Sequence, residues 1–98
     1  MTVTQDLINA AKMARRMSTN AFDNEVTRLL EAALADLYVA GVDLPTESEP
    51  LAVQAAITYF LLHFGEPEDR DDLKKSYDEQ KAQLATLTGF TTWESNNG

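Results

Sequence analysis

The stretch Pro50–Gly65, PLAVQAAITYFLLHFG, decides how this chain folds. Between Leu51 and Phe64 only Gln54, Thr58 and His63 interrupt an apolar run. At helical spacing Val53, Ile57, Phe60, Leu61 and Phe64 fall on one side, and Ala52, Ala55, Tyr59 and Leu62 on the other. A helix that is apolar nearly all round has to be buried on several sides. This one falls short of the roughly 20 apolar residues that a bilayer span needs. It is therefore a central core helix, opened by a tolerated first-position proline, Pro50, and closed by Gly65.

Upstream, Phe22, Val26, Leu29, Leu30, Ala33, Leu37 and Ala40 form the apolar stripe of a longer helix over Ala21–Ala40, which Leu34 and Tyr38 widen. Ser18, Thr19 and Asn20 supply N-cap candidates, and Gly41 is placed to end the helix in a left-handed conformation. The connection Val42–Glu49 reads as a surface loop with Val42 and Leu44 turned inward, and its shortness predicts an antiparallel pair with the core helix. Before these lies a short helix within Met1–Met17, capped by Thr2 or Thr4, with Gln5 as a capping-box partner of Thr2. Its apolar face (Leu7, Ala10, Ala11, Ala14) is weak, which predicts loose docking. Lys12, Arg15 and Arg16 sit in its last turns, where cations suit the helix dipole.

Downstream, the acids of Glu66–Asp72 match a helix N-terminus better than a calcium loop, which has a different spacing and a required glycine. A fourth helix is predicted from Asp69 to Thr88. It carries a narrow stripe of Leu73, Tyr77, Leu84 and Leu87, with Asp71–Lys75 and Lys74–Asp78 as i,i+4 pairs. Gly89 is read as its end, leaving an extended tail from Phe90 to Gly98 with two aromatics, Phe90 and Trp93. Exposed aromatics of this kind mark contact sites, although Trp93 folding back on its own core is an equal alternative. The expected architecture is all-α: a bundle of about four helices around a central apolar helix, with residues 1–89 as the helical domain and 90–98 as the tail.

Composition narrows the function classes. The 98 residues suffice for one core, and 16 acids against 8 bases give a net charge of −8. That balance argues against binding DNA through phosphate contacts and against an anionic membrane surface. There is no cysteine and one histidine, so no metal centre is expected from this chain alone. No nucleophile elbow or phosphate-cradling glycine loop occurs, and His63 stands without a recognisable nucleophile, so a non-enzyme with no cofactor is expected. The start of the chain does not read as a signal peptide, which makes cytoplasmic residence the expectation.

Four stretches, taken together, carry a family resemblance. Val3-Thr4 leads a short helix ending Arg15-Arg16-Met17-Ser18. Phe22-Asp23-Asn24-Glu25-Val26 opens the run Leu29–Leu37, which closes at Ala40-Gly41-Val42. Pro50–Tyr59 leads to Phe64-Gly65. Ser76-Tyr77 and Leu84 precede Thr88-Gly89-Phe90 and Trp93. In this order they resemble the small head–tail connector proteins (adaptor or head-completion proteins) of long-tailed bacteriophages. The core helix departs from that pattern in opening with Glu49-Pro50 rather than Asp-Pro, which leaves Ser48 as the alternative cap.

The resemblance implies a structural subunit of a ring, usually of twelve copies, beneath the portal protein. Such a ring extends the channel through which double-stranded DNA passes and offers a docking surface to a stopper or tail protein. It would place the chain at the head–tail interface of the virion, and in the host cytoplasm during assembly. Tyr77, Phe90 and Trp93 are the expected partner-contact residues. An acidic lumen would let DNA slide without being gripped. The competing readings are a small acidic helical inhibitor or regulator of another protein, including a DNA mimic, and a small acid–base enzyme.

Overall fold

The computed structural model describes residues 3–41 and 50–97, with side chains through Ala85. Four helices account for the fold: α1 (Gln5–Ala14), α2 (Asp23–Val39), α3 (Pro50–His63) and α4 (Arg70–Asn97), with no strand among the described residues. The Val42–Glu49 loop, the inward turn of Val42 and Leu44, and the Thr2 and Ser48 caps lie outside the described residues.

α3 is the centre, as its sequence dictates, and packs against each of the other three helices. Ala52, Ala55, Ala56 and Phe60 on α3 are fully buried, Phe60 being the bulkiest such side chain in the core. The three alanines let neighbouring backbones approach closely, and Phe60 fills the space between them. Val53, Ile57, Tyr59, Leu61 and Phe64 are partly buried against the same core, so both sides of α3 are covered. Thr58 is buried too, and its hydroxyl is satisfied by donating to the Gln54 carbonyl at 3.0 Å.

α2 contributes Val26, Leu30, Ala33, Leu34 and Leu37 to the core. Phe22 at its start meets Phe64 at the end of α3 edge-on, with ring centroids 5.8 Å apart, so the two helices run antiparallel as predicted. Phe22 is itself half-exposed and Tyr38 is 66% exposed, so neither belongs to the buried stripe as the sequence reading had it. Gly41 does close α2 with φ +94°. None of the three expected cap side chains caps the start of α2, where Phe22 occupies the cap position without a side-chain bond. Thr19 Oγ1 instead accepts from the Ala21 N–H, one turn too early, and Asn20 is drawn into a contact with α1.

Thr4 caps α1, accepting from the Leu7 N–H at 3.2 Å, while Gln5 bonds Asn9 rather than joining a capping box. The helix stops at Ala14, short of Met17. Arg16 adopts φ +61°, its N–H donates to the Met13 carbonyl, and the Met17 N–H donates to the Lys12 carbonyl at 2.8 Å. That is a Schellman termination with arginine where glycine is usual. Lys12 is not a solvated helix-end cation. It is buried, donates to Asn20 Oδ1 at 2.7 Å and lies 2.8 Å from Asp23 Oδ1, in the geometry of an ion pair rather than an aligned hydrogen bond. This contact fastens α1 to the start of α2, so α1 docks through one polar clamp as well as through buried Leu7 and Ala11.

α4 is the largest departure from expectation. Its backbone stays helical through Gly89 to Asn97, so Phe90–Asn97 continue the helix and do not leave it as an extended tail. A glycine inside a helix costs only about 1 kcal/mol relative to alanine, and no proline follows to compel a break. At about 1.5 Å per residue α3 spans about 21 Å and α4 about 42 Å. Among the described side chains of α4, Tyr77 and Leu84 are the buried ones, and Leu87 of the expected stripe lies outside them. The Phe90 and Trp93 side chains lie outside the described ones.

Candidate functional site

The groove between α2, α3 and α4 gathers eight titratable side chains. It encloses about 320 Å³ and is lined by Asp36 from α2, Tyr59, Leu62 and His63 from α3, and Arg70, Lys74, Tyr77, Asp78 and Lys81 from α4. The α4 residues reach it because positions 70, 74, 77, 78 and 81 recur on one helical face. Tyr59 and His63 are an i,i+4 pair at the end of α3, with ring centroids 4.2 Å apart.

Asp36 is the hub. The Tyr77 hydroxyl donates to Asp36 Oδ2 at 2.5 Å, and Lys81 Nζ donates to the same oxygen at 3.2 Å. Lys81 also sits 5.1 Å above the Tyr77 ring, and Tyr59 meets that ring edge-on at 5.3 Å. The Tyr77 hydrogen bond, assisted by Lys81, holds the Asp36 carboxyl below its usual range against the opposing effect of burial. Burial, reinforced by the neighbouring Asp36 carboxylate, pushes the Tyr77 phenol well above its usual range. Tyr77 is therefore a neutral donor locked onto a carboxylate, and its proton is not free for transfer.

At the mouth of the groove Lys74 pairs with Asp78 at 2.9 Å, as the i,i+4 spacing predicts. The Asp71–Lys75 pair does not form among the described residues. Arg70, the first residue of α4, makes no ion pair or side-chain hydrogen bond among the described residues. The groove thus carries three cations and two carboxylates in a chain of net −8. No group of three or more metal-ligating side chains occurs among the described residues, and no described helix is long and apolar enough to cross a membrane.

Of the residues expected to contact a partner, Tyr77 lines this groove but is only 3% exposed, so it supports the surface from beneath. Asp36, Lys81 and Tyr59 were not singled out in the sequence. The signal was present for Asp36, an acid set three residues after Ala33 and directly before Leu37, at the edge of the buried stripe of α2. His63 packs its ring on Tyr59 while remaining exposed. Comparison with family models, curated proteins and solved structures found no match to this chain.

Proposed function

We propose that this chain is a head–tail connector subunit of a long-tailed bacteriophage. It forms a ring beneath the portal, extends the DNA channel and presents the docking surface for a stopper or tail protein. The observation that carries the reading is the length of α4, 28 residues against 14 in the central helix it packs on. A self-sufficient bundle needs no helix twice as long as its core, whereas a ring subunit needs an element that reaches a neighbour. The order of the helices agrees with the family resemblance, and the net charge of −8 suits a channel wall that DNA slides past. In this reading the chain is not an enzyme. Phe90 and Trp93, on the last turns of α4, are the anchors toward the portal or the adjacent subunit.

Deleting residues 90–98 tests the anchor role. The shortened chain should lose only the helical signal of those residues and keep its cooperative unfolding, while failing to join portals. Normal joining by the shortened chain would remove Phe90 and Trp93 from the interface.

A further inference from the structure

Like-charged subunits repel, so contact between chains of net charge −8 is favoured where cations outnumber carboxylates. The groove between α2, α3 and α4 is such a place. It holds three of the eight lysines and arginines of the chain against two carboxylates. The partners inside it are already assigned. Lys81 serves Asp36 at 3.2 Å and Lys74 serves Asp78 at 2.9 Å. Arg70 is left over: it is exposed at the mouth and is without an ionic partner among the described residues. Its neighbours Asp69, Asp71 and Asp72 are solvent-exposed and none of them lines the groove. Beside Arg70 stand the His63 ring and Lys74, both exposed, on a rim that the Tyr77–Asp36–Lys81 cluster holds from beneath.

We propose that this groove receives a carboxylate side chain from a second copy of the same chain, gripped by the Arg70 guanidinium with Lys74 and His63 alongside. The proposal rests on the ring reading above. Its chemistry fits because guanidinium matches carboxylate as a planar two-pronged donor. A space of about 320 Å³, open to solvent, has room for an incoming carboxylate side chain. A second copy is the occupant because the chain supplies the complementary charge itself. Asp6, Glu25 and Glu31 are exposed on α1 and α2 and none lines the groove. A contact between two different surfaces of identical subunits is head-to-tail and can repeat around a ring.

Sedimentation velocity of the full chain over a concentration series, at low and high salt, tests this. Wild type should self-associate, and salt should weaken the association. Arg70→Gln should weaken it about tenfold or more, as loss of a charge-assisted contact does. Lys74→Gln should weaken it less, and Lys75→Gln, outside the groove, should have no effect. Circular dichroism should show all three variants folded. If wild type associates and both groove variants associate equally well, the groove is not the seat, and the ring reading stands without it. If wild type stays monomeric at every concentration, the proposal is overturned. It is equally overturned if a labelled polyglutamate peptide or a DNA duplex, rather than a second copy, binds in a manner dependent on Arg70. Co-assembly with a portal then tests the ring separately.

Discussion

At the scale of single residues, the Asp36 carboxylate ties α2 to α4 by accepting from Tyr77 and Lys81. Tyr77→Phe keeps the ring packing but removes the donor, so it should cost about 1–2 kcal/mol, the lower part of the range for a hydrogen bond to a charged group, because Asp36 is partly exposed. Chemical denaturation checks this. The pH profile carries the sign. Asp36 is held below its usual value, so its stabilising contribution is present at neutral pH and is lost as pH falls below about 4 toward its folded value. Tyr77 is held above its usual value, so its contribution is present below about pH 10 and is lost as pH rises beyond that. Tyr77→Phe should flatten the alkaline limb, and Asp36→Asn the acid limb. A Tyr77→Phe profile identical to wild type at both ends would show that the bond adds nothing. At Arg16 the left-handed backbone, φ +61°, costs about 1–2 kcal/mol for a residue with a Cβ. Arg16→Gly should recover that, less about 0.4–1 kcal/mol for the freer unfolded chain, and raise the melting temperature slightly. Nothing in the sequence announced this site, since any residue can be forced into the position once the Schellman bonds and the Lys12 clamp fix the chain on either side. The burial of Lys12 was hidden for the same reason. A lysine in the last turn suits the dipole, and only the tertiary placement of Asn20 and Asp23 decides that it turns inward.

Among the elements, α3 was the most legible, because a helix apolar on all sides has one stable place. Phe60→Ala should cost about 3–5 kcal/mol, the usual cost of emptying a fully buried aromatic site. Against a total of roughly 5–15 kcal/mol this leaves a marginal protein. A denaturation midpoint near that of wild type would mean that α3 is turned away from the core. The helical backbone of α4 was legible as far as Thr88 and misread from Gly89 onward. Gly89 resembled a terminator, but a terminating glycine needs a left-handed backbone and carbonyls to cap, and a lone glycine without a following proline does not impose them. Within α4, Gln80 falls in register with Leu73, Tyr77 and Leu84, and its side-chain oxygen is buried without a partner among the described residues. Such an orphan costs about 1–3 kcal/mol. Gln80→Met should therefore stabilise the free chain by about 1 kcal/mol in thermal or urea unfolding, and a loss of stability would show that the amide has a partner after all.

At the scale of the whole molecule, the four-helix, all-α plan follows from three amphipathic patterns arranged around one apolar segment, and charge and composition narrowed the function without fixing it. What a single chain does not show is which of its faces meet another, because interface residues look like surface residues until the partner is present. In the proposed connector reading α4 is the element that reaches outward and the chain is one subunit of a ring. Electron-microscopic imaging of the purified chain mixed with a candidate portal protein encoded next to it tests that proposal most directly. The account predicts a closed ring of added density at the narrow end of the portal, coaxial with the DNA channel, with α4 at the contact between the two. Portals that remain bare beside free subunits, at concentrations well above those used for assembly, would contradict it.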